Sequence, residues 1–205
     1  TGPWAQAPVF LQQLALLNGF DIGAMDPLGA DFVHTVIECA KLAFADREAY
    51  YGDPNFADVP VASLLSPAYN DTRRALVEST ASMELRPGSV DGRNIRLGVA
   101  AASAKAAPGA GEPTVAKPGE RRGDTCHIDV IDRWGNMVSA TPSGGWLQSS
   151  PVVPALGFPM TSRAQMFWLE NGLPGTLAPR KRPRTTLTPT MVLRGDAPYM
   201  VLGTP

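Results

Sequence analysis

The chain has 205 residues, of which 44% are hydrophobic and 18% charged, a composition that folds around a core rather than staying disordered. Its 18 Lys and Arg against 19 Asp and Glu leave a net charge of −1, which excludes the broad basic field that nucleic-acid or membrane-surface binding needs. Two cysteines and two histidines exclude a disulfide scaffold and a zinc ribbon, and no apolar run reaches the roughly 18 residues of a membrane helix.

Thr1-Gly2-Pro3-Trp4 shows no basic region followed by an apolar stretch, the pattern of a leader peptide. Phe10, Leu11, Leu14 and Leu17 recur at helical spacing and Asn18-Gly19 makes a stop, so a first helix is expected over about 7–17. A second helix is expected from an Asp26 N-cap and Pro27 to a stop at Gly52-Asp53-Pro54. Its apolar face is Phe32, Val33, Val36, Ile37, Ala40, Ala43 and Phe44, with His34 beside it and Cys39 as a small core residue. Ser66-Pro67 opens a third helix carrying Ala68, Ala75, Leu76 and Val77. Residues 1–86 thus form a helical region.

From Pro87 to Asp124 small residues, glycine and proline dominate and periodicity vanishes, which predicts a long exposed linker over 87–124. Residues 125–205 read as a β-rich region. Thr125-Cys126-His127-Ile128-Asp129-Val130-Ile131-Asp132 alternates as a half-buried strand, Arg133–Asn136 is a turn, and Met137–Thr141 returns, which makes a hairpin. Thr188–Leu193 and Tyr199–Leu202 form a second pair around Arg194-Gly195-Asp196. Helices first and strands second indicate an α+β chain. Arg180-Lys181-Arg182-Pro183-Arg184 is a basic cluster without an aromatic stacking platform, which disfavours a nucleic-acid patch. No phosphate loop, CxxC pair or HExxH is present, and nothing calls for a metal or another cofactor.

Gly123-Asp124-Thr125-Cys126-His127 followed by Asp132-Arg133-Trp134-Gly135-Asn136 resembles the processing site of the γ-glutamyltransferase (γ-glutamyltranspeptidase) family. Lys181-Arg182-Pro183-Arg184-Thr185-Thr186-Leu187-Thr188-Pro189-Thr190, Gly203-Thr204-Pro205, Leu42–Arg47 and Gly52-Asp53-Pro54 carry the same resemblance, which covers nearly all of the chain except the linker. It implies an N-terminal-nucleophile hydrolase fold, an αββα sandwich incomplete in this chain. It also implies a precursor that cuts itself between Asp124 and Thr125. The chain then holds the end of a large subunit and the start of a small one, and its partners are the remaining parts of both and a small-molecule amide or peptide.

By the same resemblance Thr125 is the nucleophile and Ser143 stands where a second hydroxyl contacts it. Thr185 and Thr186 match paired hydroxyls that bind a γ-glutamyl α-carboxylate, and Gly145 replaces an asparagine that contacts substrate. Arg163 and Met166 replace a glutamine and an aspartate that hold the substrate ammonium. Free as an N-terminus, the Thr125 α-amine is the base its hydroxyl needs; in the uncut chain that nitrogen is an amide. The resemblance implies cleavage of a γ-glutamyl amide such as glutathione through an acyl-enzyme on Thr125. The arginine at 163 repels an ammonium and pairs with a carboxylate, which favours an amide whose acyl part carries a carboxylate without a free ammonium. A non-catalytic homologue or inactive fragment is the third reading.

Overall fold

The computed structural model describes residues 1–98, 125–144 and 150–204. Helix α1 spans Ala7–Leu17 with Pro8 in its first turn, where no amide hydrogen is needed. Its buried face is Val9, Gln12 and Leu16, while Leu11 and Leu14 are about half exposed. The inward face is therefore rotated from the one expected. Gln12 turns in because its Nε2 donates to Asp46 Oδ2 at 2.6 Å.

Helix α2 spans Ala30–Tyr50 and begins later than Asp26. Asp26 instead closes a turn, accepting from the Leu28 and Gly29 backbone N–H groups, and Gly29 is the N-cap. Cys39 and Ala43 are buried as expected, together with Leu42 and Ala49, which were not on the expected face, whereas Val33, Ile37 and Phe44, which were, are exposed. The buried side also carries Glu38 and Asp46. Each has cationic partners: Lys41 and Arg86 for Glu38, Arg73 for Asp46. Asp46 further accepts from Tyr69 OH at 2.9 Å and from the Gly88 N–H at 2.7 Å.

A one-turn helix α3, Val61–Leu64, leads to α4, Pro67–Arg74. Ser66 caps α4, accepting from the Tyr69 N–H. Arg74 reaches back to the carbonyls of Ala15 and Leu16 at the end of α1, where a cation also suits the helix dipole. Val9, Leu16, Cys39, Leu42, Tyr51, Leu64 and Val90 close the core. Val90 lies in the stretch read as an exposed linker. Residues 87–98 instead pack on the helices: the Tyr50 hydroxyl donates to Gly88 O at 2.6 Å, Ser63 Oγ bonds Asp91, and Leu97 packs on the core. Residues 99–124 lie outside the described residues.

The strands form three antiparallel pairs: β1 Ile128–Ile131 with β2 Met137–Ala140, β3 Val152–Val153 with β4 Phe158–Pro159, and β5 Thr190–Arg194 with β6 Ala197–Leu202. Gly135 (φ +84°) and Gly195 (φ +62°) supply the left-handed turn residues that close the first and last hairpins. The chain is mixed helix and strand, as expected, but the described residues show these three ladders rather than two complete stacked sheets. Ile128, Val130 and Val138 are each more than half exposed. The half-buried strand expected there is therefore open on its apolar face, because no described element packs over it. The loop after α2 meets the loop before β5 where Gly52 abuts residue 174. A Cβ at Gly52 would lie 2.5 Å from the Pro174 carbonyl oxygen, so only glycine allows that approach.

Candidate active site

The β1–β2 register sets Asp129 opposite Ser139 and Ile128 opposite Ala140. Carried toward the open end, it sets Cys126 opposite Pro142, whose carbonyl accepts the Cys126 N–H at 3.2 Å, and Thr125 opposite Ser143. Side chains alternate along a strand, so residues 125, 127 and 129 share a face with 139, 141 and 143. Cross-strand neighbours on one face touch, and here the neighbours are all polar. Thr125 Oγ1 and Ser143 Oγ are 2.7 Å apart, and His127 Nδ1 lies 2.8 Å from Thr141 Oγ1.

His127 Nε2 also lies 2.9 Å from Asp129 Oδ2. A hydrogen bond from Ser139 chiefly holds the Asp129 carboxyl below its ordinary range against the effect of burial, with His127 adding to it. The ladder supports β6 as well. Ser139 Oγ also lies 3.4 Å from the Leu202 carbonyl oxygen, and Gly203 lies so close to the His127 ring that a Cβ there would come within 2.2 Å of it.

After Ser143 the backbone turns at Gly144, whose φ of +76° suits glycine, and a Cβ there would press at 3.3 Å on the Thr161 and Ser162 hydroxyls. The chain returns through β3 and β4 to a short 3₁₀ turn, Arg163–Met166. Thr161 Oγ1 accepts the Arg163 N–H at 3.2 Å. Arg163 Nη2 donates to Ser143 Oγ at 2.7 Å, and Arg163 is only 8% exposed. Thr125, Ser143 and Arg163 are thus brought together around one hydroxyl. Met166 is buried in the same turn.

Thr185 and Thr186 are held elsewhere. The Thr185 N–H donates to Trp4 O at 2.8 Å and Gln6 Nε2 donates to Thr186 O at 3.1 Å. Their described hydrogen bonds do not reach the Thr125 group. Asp124 and Gly145 lie outside the described residues. His34 Nε2 pairs with the Glu78 carbonyl at the surface, and burial pushes the Cys39 thiol up to about 11, so neither is poised for chemistry. Among the described residues no group of His, Cys, Asp and Glu is arranged to hold a metal.

The sequence reading assigned no role to Asp129, Ser139 or Thr141. Their signal was present: polar residues at every second position on both sides of a recognisable turn. The basic cluster is engaged by side chains of the helical region, with Arg184 buried and Arg180 and Arg182 exposed. Lys181 Nζ lies 5.6 Å from the centroid of the Phe56 ring, Arg182 pairs with Asp53, and Arg184 pairs with Glu48.

A sequence model of the family described as gamma-glutamyltranspeptidase matches residues 1–205. The chain is 34% identical over 195 residues to the acylase ACY 1 proenzyme of Pseudomonas sp. strain SE83, covering 95% of this chain and 30% of that one. It is 30% identical over 208 residues to the glutathione hydrolase proenzyme of Bacillus subtilis subsp. natto, covering 100% of this chain and 34% of that one. The solved structure of LmbA2991HD superposes with a TM-score of 0.80 at 55% identity, over 100% of this chain and 33% of that one. The chain spans about a third of the length of the curated relatives it matches.

Proposed function

The chain belongs to the gamma-glutamyltranspeptidase family, and on that premise we propose that it carries the nucleophile of a self-processing threonine amidohydrolase. Thr125 Oγ attacks the carbonyl carbon of an amide, and its proton passes to the Thr125 α-amine, which cleavage after Asp124 sets free. The amine has an ordinary pKa near 8, so part of it is neutral at pH 7 and able to act as base. The leaving amine departs with that proton. Water then releases the acyl group from Thr125, or an acceptor amine takes it.

One observation carries this reading: the Ser143 hydroxyl is shared between Thr125 and Arg163 at 2.7 Å on each side. Arginine only donates, so it occupies an acceptor position of Ser143 and polarises the Ser143 proton toward Thr125 Oγ. The Thr125 proton is then free for the amine. The same guanidinium defines the substrate. It repels an ammonium and attracts a carboxylate, so the acyl group is proposed to carry a carboxylate and no free ammonium, as in a dicarboxylic half-amide. The relative named as an acylase is in keeping with this reading.

A γ-glutamyl amide such as glutathione is the second reading. It is favoured by the retained hydroxyls of Thr185 and Thr186 and by the relative named glutathione hydrolase. The test uses the full-length precursor. Mass spectrometry of the wild type is expected to find a fragment beginning at Thr125, and Thr125→Ala is expected to stay intact and inactive. Release of 4-nitroaniline from glutaryl-4-nitroanilide against γ-glutamyl-4-nitroanilide separates the two substrates. An intact, inert wild type would reject the enzyme reading altogether.

A further inference from the structure

The basic cluster at 180–184 and the Gly52-Asp53-Pro54 motif, for which the catalytic proposal has no use, meet in the structure. Asp53 is 1% exposed, and four donors surround its carboxylate. Arg182 gives its backbone N–H and its Nε to Oδ2, at 2.8 and 3.2 Å, and its Nη2 to Oδ1 at 2.8 Å. The Asn55 N–H adds a fourth bond at 3.1 Å. Two residues on, Arg184 is 6% exposed and meets Glu48 in a fork, with Nη1 on Oε1 and Nη2 on Oε2 at 3.1 Å each. Pro183 fixes the backbone between them. The Arg182 guanidinium also stacks 4.0 Å from the Trp4 ring centroid, and Trp4 O takes the Thr185 N–H.

Bidentate charged pairs fix geometry, the more so where they are buried; Asp53 and Arg184 are buried, while the Arg182 side chain is 44% exposed. Residues 182, 184, 185 and 186 are therefore each tied to a residue that precedes the proposed cut. Only the backbone of Thr185 and Thr186 is tied in this way. Among the described residues neither of their hydroxyls has a hydrogen-bond partner, so both remain available to a ligand.

We infer that Glu48, in the last turn of α2, and Asp53, just beyond it, are positioning residues that hold the Thr185–Thr186 hydroxyls for a substrate carboxylate. This rests on the reading of Thr185 and Thr186 as the subsite that binds the substrate carboxylate, with the Arg163 charge attracting that same group. The clamp does not involve the Asp124–Thr125 bond, so it persists when that bond is cut. It makes the region before the cut responsible for substrate affinity, while Thr125 and Ser143 carry the chemistry.

The test compares Glu48→Gln and Asp53→Asn with wild type in the full-length precursor. Steady-state kinetics use glutaryl-4-nitroanilide, mass spectrometry gives the processed fraction, and amide hydrogen exchange reads residues 181–186. Both variants are expected to raise KM about tenfold, in proportion to one lost charge-assisted contact. They are also expected to leave kcat within about threefold, keep processing intact and speed exchange across 181–186. The double variant Glu48→Arg with Arg184→Glu is expected to recover part of the lost affinity relative to Arg184→Glu alone. If Asp53→Asn does not fold, Glu48→Gln decides, because Glu48 lies nearer the surface. Faster exchange with an unmoved KM would overturn the inference alone, and so would unmoved exchange. Wild-type turnover that survives Thr125→Ala would overturn the catalytic reading beneath it.

Discussion

Replacing Arg163 by glutamine removes a cation that is separated from the Thr125 hydroxyl by Ser143 and two hydrogen bonds of 2.7 Å. The side chain is 8% exposed, so bulk water screens it little. Two unit charges about 5 Å apart at an effective dielectric near 20 interact by about 3 kcal/mol. That penalty falls on an ammonium in the pocket and is absent for an acyl group without one. Three kcal/mol corresponds to about 10²-fold in a rate ratio. The quantity to measure is kcat/KM for glutaryl-4-nitroanilide divided by kcat/KM for γ-glutamyl-4-nitroanilide, in wild type and in Arg163→Gln. Taking the ratio cancels the shared cost of losing the Ser143 contact. It is expected to fall about 10²-fold in the variant, chiefly because the γ-glutamyl substrate improves relative to the other. A ratio that moves less than about threefold would refute the assignment of Arg163 as the group that selects against ammonium.

The remaining expectations concern the ladder, the core and the clamp. His127→Ala removes two contacts worth about 1 kcal/mol each and is expected to lower kcat and slow processing by about 10- to 30-fold, whereas His127→Asn, which keeps a donor and an acceptor, should recover much of both. Asp46→Ala leaves Gln12, Tyr69 and the Gly88 N–H without their acceptor and Arg73 without its counter-charge, a loss of about 3–5 kcal/mol that urea unfolding would report. The Asp53 carboxyl is held at about 2, mainly by its hydrogen bonds from Arg182 and against the effect of burial. Because its folded-state value is depressed, its stabilisation is full above the unfolded value near 4 and is lost as pH falls toward 2. Asp53→Asn is therefore expected to flatten the fall in melting temperature between pH 4 and pH 2, and an unchanged slope would contradict it. Gly144→Ala must place an alanine at φ +76° against two hydroxyls, which costs about 1–2 kcal/mol and should show as lost activity without lost processing at Thr125.

What the sequence determined by itself was local. The turn at Arg133–Asn136 and the period-2 alternation around it were readable as a hairpin, whereas Ser143 beside Thr125 was implied by the family resemblance and is seen in the register of the structure. Ser66-Pro67 marked its helix start because capping is settled within one turn. The polar ladder beneath Thr125 was written in the same alternation, although only the distances show that it is continuous. Tertiary structure decided which faces turn inward and which distant residues meet. α1 and α2 bury Gln12, Glu38 and Asp46 while leaving Leu14 and Ile37 outside. A charged side goes inward only when it meets counter-charges, and here Lys41 of the same helix is joined by Arg73 and Arg86, distant in the chain. Arg163 reaches Ser143 across 20 residues, and Arg182 reaches Asp53 across 129. No periodicity encodes such pairings, because a long side chain finds its partner only after the backbone has brought the two together.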